Sequence, residues 1–149
     1  MKLLIQRVSE ARVGVAEETV GAIGPGILVL VGIEANDTHD TGQPLAEKLL
    51  RFRMFADEAG KMNWDVQQAG GGLLVVSQFT LAANTRKGNR PSFDTAAPPA
   101  LALALFDGFV ATLRSLTTQP IATGQFGAHM QVHLINDGPV TFLLESGKP

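Results

Sequence analysis

Three histidines, a handful of hydroxyls and two glycine-rich stretches are the groups in this chain that could do chemistry. His129 and His133 stand four apart, the spacing that puts two metal ligands on one helical face. Their neighbours argue for a strand instead, because Met130, Val132 and Leu134 alternate with Gln131, His133 and Ile135. Four residues of strand span about 13 Å, too far for two ligands of one zinc. The pair therefore reads as solvent-facing strand histidines. His39 lies in a polar stretch with Asp37 and Asp40 and reads as solvated, so neither a metal nor another cofactor is expected. Ser77 sits in Val76-Ser77-Gln78, not in the Gly-x-Ser-x-Gly elbow of a hydrolase nucleophile, and no neighbouring motif supplies a base. Gly70-Gly71-Gly72 lacks the Lys-Ser/Thr of a phosphate loop, and Gly21 to Gly26 misses the dinucleotide spacing. Both read as tight turns and close backbone approaches.

Two polar segments remain. Ser77-Gln78-Phe79-Thr80-Leu81 ends an apolar strand on hydrogen-bonding residues, and Asn136-Asp137-Gly138-Pro139 reads as a turn between two late strands. Such strand ends and loops are where sites sit, because a rigid scaffold holds them.

Periodicity marks the elements that would position them. Leu3 to Val15 is a strand candidate, and after Glu17-Glu18 a short strand from Thr19 to Ile23 meets the turn signal Gly24-Pro25-Gly26. Ile27 to Ile33 is a continuous β-branched and Leu run, the pattern of a strand buried on both faces. Glu34 to Gln43 reads as a loop, and Pro44 as the first turn of a helix reaching about Arg53. Met54-Phe55 opens a strand that turns at Asp57 to Gly60, and Leu73 to Ser77 is another. Ala82 to Ala97 is a long, basic loop carrying Arg86, Lys87 and Arg90; ordered loops of this length are usually functional. A second helix opens at Pro98-Pro99 and runs to Thr117, and strands Met130 to Ile135 and Pro139 to Glu145 close the chain. Seven or eight strands and two main helices predict a mixed, largely antiparallel α+β fold.

Composition narrows the class. At 149 residues the prior is one domain, 1–149. Hydrophobic residues make up 45% of the chain and charged ones only 17%, against roughly 25% in soluble domains. So little charge leaves apolar surface to be covered, most commonly by a second copy in a homodimer. The lack of cysteine excludes disulfides, thiolate metal sites and a Cys nucleophile. A net charge of −2 gives no sign of a general nucleic-acid coat. The longest apolar runs fall short of the ~20 residues of a membrane helix, and polar residues arrive after only three apolar ones at the N-terminus. A cytoplasmic protein with no membrane segment and no signal peptide is the expectation.

Five segments resemble the D-aminoacyl-tRNA deacylase family, nearly end to end. They are Leu4-Ile5-Gln6-Arg7-Val8, Gly60-Lys61-Met62-Asn63, Ser77-Gln78-Phe79-Thr80-Leu81, Gly88-Asn89-Arg90-Pro91-Ser92-Phe93 and Asn136-Asp137-Gly138-Pro139-Val140-Thr141. The Ser-Gln-x-x-Leu and Asn-x-Gly-Pro-Val-Thr pair, in that order, is the specific part; the tail from Ser146 to Pro149 lies outside the motifs and reads as dispensable.

The resemblance implies a barrel-like fold and a homodimer that hydrolyses the ester of D-aminoacyl-tRNA and of mischarged glycyl-tRNA; no DNA partner is expected. It implies a cis Gly138-Pro139 bond on a loop that enters the neighbouring subunit's site, with Arg7 bracing it. Ser77, Gln78, Phe79 and Thr80 would line the pocket for the terminal adenosine and ester carbonyl, with Phe126 a further wall. Main-chain carbonyls would take the substrate ammonium and occlude an L side chain, while glycine, having no Cβ, would pass. The ribose 2′-hydroxyl would help activate water, and backbone N–H groups around Phe79 and Thr80, aided by Gln78, would hold the oxyanion. Thr80 as a nucleophile is the rival mechanism. Arg86, Lys87 and Arg90 would make a few phosphate contacts. Two alternatives stay open: a sister group with a trans bond that hydrolyses particular L-aminoacyl-tRNAs, and a non-catalytic RNA-binding dimer.

Overall fold

The computed structural model describes residues 1–147. Its organising element is the long strand β1 (Lys2–Val15). Leu3 and Ile5 alternate with half-buried neighbours and face one core, whereas Val8, Ala11 and Val13 face a second. A strict period of two would put Val8 and Ala11 on opposite faces. The ladder explains the switch: against β8 (Gln131–Glu145), Val8 pairs with Asn136 and Glu10 with Ile135, leaving Ser9 as a bulge. One extra residue reverses the faces of everything beyond it.

β1 has a tandem of partners on its other side. β3 (Gly26–Gly32) pairs antiparallel with Lys2 to Val8, and β2 (Glu18–Ile23) with Ala11 to Val15. The β1–β2 turn falls at Ala16 and Glu17, one residue earlier than Glu17-Glu18, with both in the left-handed region that such two-residue turns demand. β3 continues in parallel to β6 (Gly72–Ser77), and β6 to β7 (Ile121–Thr123), a short strand that the sequence pattern did not mark. β3 and β6 are buried over nearly their whole length, as their unbroken apolar runs require. β2 then curls over to β7, where a Cβ on Gly21 would lie 2.2 Å from the Thr123 carbonyl oxygen. The sheet nearly closes into the barrel-like form expected.

The two helices lie together over the first core. α1 (His39–Arg51) begins five residues before Pro44, because Thr38 caps it and donates its N–H to Thr41 Oγ1 at 2.9 Å. Threonine in place of the usual Glu/Gln hid this box from the pattern. Pro44 thus falls in the second turn, and His39 is helical. α2 (Pro99–Leu116) is apolar enough in composition to resemble a membrane span, but Ala102, Leu105, Phe106, Phe109, Val110 and Leu113 bury its inner face in the core.

A two-stranded flap, β4 (Phe55–Ala56) with β5 (Met62–Trp64), stands beside this sheet. Asp57 closes its turn by accepting Asn63 Nδ2 and the N–H groups of Lys61 and Ala59, each at 2.9 Å. Those donors, Asn63 first, hold its carboxyl below the ordinary aspartate range. At the N-terminus, the Met1 ammonium is held by Asp37 at 2.7 Å, Glu34 at 3.1 Å and Ser146 Oγ at 2.7 Å. Ser146 is therefore tied in and not part of a dispensable tail; Lys148 and Pro149 lie outside the described residues.

The two glycine-rich stretches explain each other. Gly26 and Gly72 begin adjacent parallel strands, and a Cβ on Gly26 would lie 2.0 Å from the Gly72 carbonyl oxygen, backbone against backbone. Gly26→Ala is expected to lower stability by about 3 kcal/mol or more, read as a fall in denaturant midpoint. Gly24→Ala, where a Cβ meets nothing within 4 Å, should stay within about 0.5 kcal/mol.

Candidate active site

β6 ends where its apolar run gives way to Ser77 and Gln78. Gln78 donates its N–H to the Val31 carbonyl at 2.8 Å, fixing the strand end to β3. The chain then makes one 3₁₀ turn, Phe79–Ala82. The first N–H groups of any helical turn lack an internal partner. Here, among the described residues, the Phe79 and Thr80 N–H groups donate to no acceptor. Gln78 Nε2 donates to Thr80 Oγ1. An amide donor cannot remove that hydroxyl's proton, and no histidine or carboxylate hydrogen-bonds to Ser77 or Thr80 among the described residues.

The basic loop is held in place by its own hydrogen bonds. Asn84 and Ser92 exchange N–H···O bonds of 2.7 and 2.9 Å, Thr95 Oγ1 donates to the Ala82 carbonyl, and Ala97 N–H to that of Ile33. Arg86, Lys87 and Arg90 sit exposed on the tip that the Asn84–Ser92 pair closes. The base of the loop brings Phe93 against Phe79, ring centroids 5.2 Å apart, with Phe79 58% and Phe93 43% exposed. Aromatic faces left open in this way are unusual for side chains of their size.

These parts enclose a cleft of about 660 Å³. Ser77, Gln78 and Phe79 lie along it, and Phe126, propped on Phe106 at 6.1 Å, forms a wall. The structure thus brings together four residues singled out in the sequence. Thr80 sits one step behind, and the three cationic residues lie outside the lining. Phe93, Pro98, Met130 and His129 also line it. Phe93 closes one of the five family-like segments, but nothing in its letters marked it as a wall. His129 precedes β8, and so does not belong to the strand as the alternation suggested. A larger hollow of about 840 Å³ beside α1 is walled by Glu34, Asp37, Asp40 and Glu145, which would repel a polyanion.

The second motif takes an unexpected form. Asn136 to Pro139 is not a hairpin turn: β8 runs past it, and both halves pair with β1. Asn136 pairs with Val8 and Thr141 with Gln6, so four residues on β8 face only Arg7 on β1. Asp137 to Val140 are therefore pushed out of the ladder as a wide bulge, in which the Gly138-Pro139 bond is cis. Asn136 closes its base, accepting the Val140 N–H at 3.0 Å and donating Nδ2 to Thr141 Oγ1 at 3.0 Å. Arg7 holds it from below, donating Nε to the Asp137 carbonyl and a terminal nitrogen to the Met54 carbonyl, both at 2.9 Å. Gly138 adopts φ +146°, and a Cβ there would lie 2.6 Å from Val140 Cγ2. None of Arg7, Gly138 or Pro139 lines the cleft of its own chain.

A family model described as D-Tyr-tRNA(Tyr) deacylase matches residues 4–145. The chain belongs to the D-Tyr-tRNA(Tyr) deacylase family. A D-aminoacyl-tRNA deacylase of Teredinibacter turnerae is 60% identical over 98% of this chain and all of its own. Among solved structures, one named c-Myc DNA Unwinding Element Binding Protein superposes with a TM-score of 0.95 at 43% identity, over 99% of this chain and 100% of that one. Another, titled Structural Analysis of a probable eukaryotic D-amino acid tRNA deacylase, gives 0.84 at 15% identity over 96% and 97%, and likens the fold alone. As a member of the deacylase family the chain is a hydrolase of D-aminoacyl-tRNA.

Asn136 is the tie that closes the bulge, so Asn136→Ala removes two hydrogen bonds worth about 1 kcal/mol each. Amide exchange at Val140 should quicken about tenfold or more, and the melting temperature should fall by about 4–8 °C. Unchanged exchange there would mean that β1 alone holds the bulge.

Proposed function

We propose that this deacylase works as a homodimer in which the Asp137–Val140 bulge of one protomer enters the partner's cleft and sorts the two mirror forms of an aminoacyl ester. One observation carries the reading: the bulge is built, braced and exposed, yet is absent from the lining of its own chain's cleft. A site needing both parts must draw them from two copies. The face of β8 offers a seam, since Ile135 is 53% and Leu143 50% exposed with no cover in the monomer.

Stereochemical sorting that ignores side-chain identity has to act close to the α-carbon. Rigid main-chain carbonyls from the partner's Gly138-Pro139 would accept the substrate ammonium and fill the space an L side chain needs. Glycine fills neither space, so glycyl-tRNA is a substrate as well. Phe79 and Phe126 would take the terminal adenosine, as aromatic faces take unstacked bases. Water then adds to the ester carbonyl with the ribose 2′-hydroxyl as its helper. The oxyanion accepts hydrogen bonds from the free N–H groups of Phe79 and Thr80, with Gln78 beside them. The bond to the 3′-oxygen breaks, that oxygen takes up the proton, and free tRNA and amino acid leave. Arg86, Lys87 and Arg90 would add a few phosphate contacts near the acceptor end, enough for an enzyme that must release its product. Residues 1–149 would act as one domain, in the cytoplasm where aminoacyl-tRNA is used, without metal, cofactor or DNA.

The deciding experiment measures hydrolysis of D-Tyr-tRNA beside L-Tyr-tRNA. Rapid loss of the D-ester with the L-ester spared is expected; equal rates, or L-specific hydrolysis, would overturn the reading, and intact ester in both cases would leave a tRNA binder. Gly138→Ala should cost about 10²-fold in D-ester hydrolysis, because its Cβ would collide with Val140 and shift the bulge.

Thr80→Ala should retain turnover within about tenfold, since its hydroxyl lies behind the cleft wall and has no base. An acyl group trapped on Thr80 would establish the covalent route instead.

A further inference from the structure

His129 is a side chain that neither the core nor the proposed reaction uses. It stands exposed in the connection from β7 to β8 and forms part of the cleft wall. The other segments that meet there are the end of β6, the 3₁₀ turn, the base of the basic loop, the first turn of α2 and the start of β8. None of them contributes a second titratable or charged side chain to the cleft. Its Nε2 lies 3.4 Å from Gln131 Nε2, an amide and not a carboxylate. His133, further along β8, lines a separate recess with Glu10 and Arg12. Among the described residues, His129 is thus the one ionisable side chain that lines the cleft.

We infer that His129 is a substrate-contacting residue whose imidazolium holds a backbone phosphate of the RNA 3′ end at the mouth of the cleft. This rests on the proposed reaction, in which the cleft receives the terminal nucleotide. A base laid against Phe79 and Phe126 must send its 5′-phosphate out along the rim. That phosphate is an obligatory negative charge in a cleft with no other ionic partner. The cations on the basic loop stop short of the lining, so they cannot take it at this point. A general-base role fits the geometry less well. A base needs its second nitrogen oriented by an acceptor, and among the described residues no carboxylate or carbonyl meets this ring; the amide of Gln131 approaches it instead.

The two roles give opposite pH signatures. A phosphate contact needs the charged imidazolium and so strengthens binding as the pH falls, whereas a general base needs the neutral ring and loses turnover. Binding of uncharged tRNA at pH 6 and pH 8, by wild type and by His129→Gln, avoids titration of the substrate's own amine. Wild type should bind about threefold more tightly at the lower pH. His129→Gln should lose most of that difference. A pH dependence that survives in His129→Gln, or none in wild type, overturns the inference even if D-ester hydrolysis is normal. A His129-dependent shift in a protein that leaves the ester intact would uphold the contact and sink the proposed reaction. An acid limb in wild-type kcat that disappears in the variant would make His129 a base and defeat the phosphate role.

Discussion

A 14-residue strand and a 15-residue strand can run side by side only if every mismatch in their ladder is absorbed somewhere. Between β1 and β8 the mismatches have opposite sense and lie almost together. Ser9 is surplus on β1, and Asp137 to Val140 on β8 face the single residue Arg7. The first bulge swaps which core β1 faces; the second ejects the chain from the sheet. Because the pairing resumes on both sides, the ejected segment is clamped at both ends, unlike a hairpin tip clamped at one. A main-chain segment clamped in this way has the stiffness that the proposed main-chain recognition requires. The chain around it completes the clamp: Asn136 and Thr141 close its mouth, and Arg7, pinned to Met54, supports its floor.

The cleft depends on the same sheet in another way. β3 and β6 are buried on both faces, so their ends are among the most fixed points of the molecule, and Gln78 is tied to Val31 across them. Beyond that tie comes a single helical turn whose leading N–H groups point at no partner. In the proposed reaction these two free donors, held at a rigid strand end, receive the charge that develops on the ester oxygen. In the proposed function the bulge and the cleft, lying on different parts of one chain, make a second copy part of the chemistry. That agrees with the scarcity of charged residues and with the bare apolar side chains of β8.

Much of this was legible in the letters. The unbroken run Ile27 to Ile33, the periodicity of α2 and the glycine approaches come from patterns that local physics enforces. The misreadings have local causes too. Asn-Asp-Gly-Pro is turn chemistry, and nothing nearby reveals that the chain continues forward, because the reason lies in the register of β8 against β1. Thr38 and Thr41 cap α1 through a pairing outside the usual Ser/Thr with Glu/Gln signature, so the helix start moved. His129 sits at the end of an alternating run, and alternation alone does not say which residue begins the strand. β7 is three residues long, too short for any period to register. Of the candidate site, Ser77, Gln78, Phe79 and Phe126 meet in one cleft, while the assignment of roles to them came from the resemblance and not from spacing.

The near-absence of ionisable groups in that cleft bears on the chemistry more than any residue present. Hydrolysis of an ester near neutral pH needs help in deprotonating water, and among the described residues only His129, whose ring meets no orienting acceptor, stands in the cleft as a basic side chain. In the proposed reaction the help comes from the substrate, whose ribose carries a free 2′-hydroxyl beside the ester. A protein relying on it has no use for a nucleophile with a tuned pKa and no intermediate to resolve. On the proposed reading its own task reduces to holding the ester carbonyl against two N–H groups and denying entry to the wrong hand. Both are tasks for backbone, and backbone held by paired strands is what this fold supplies.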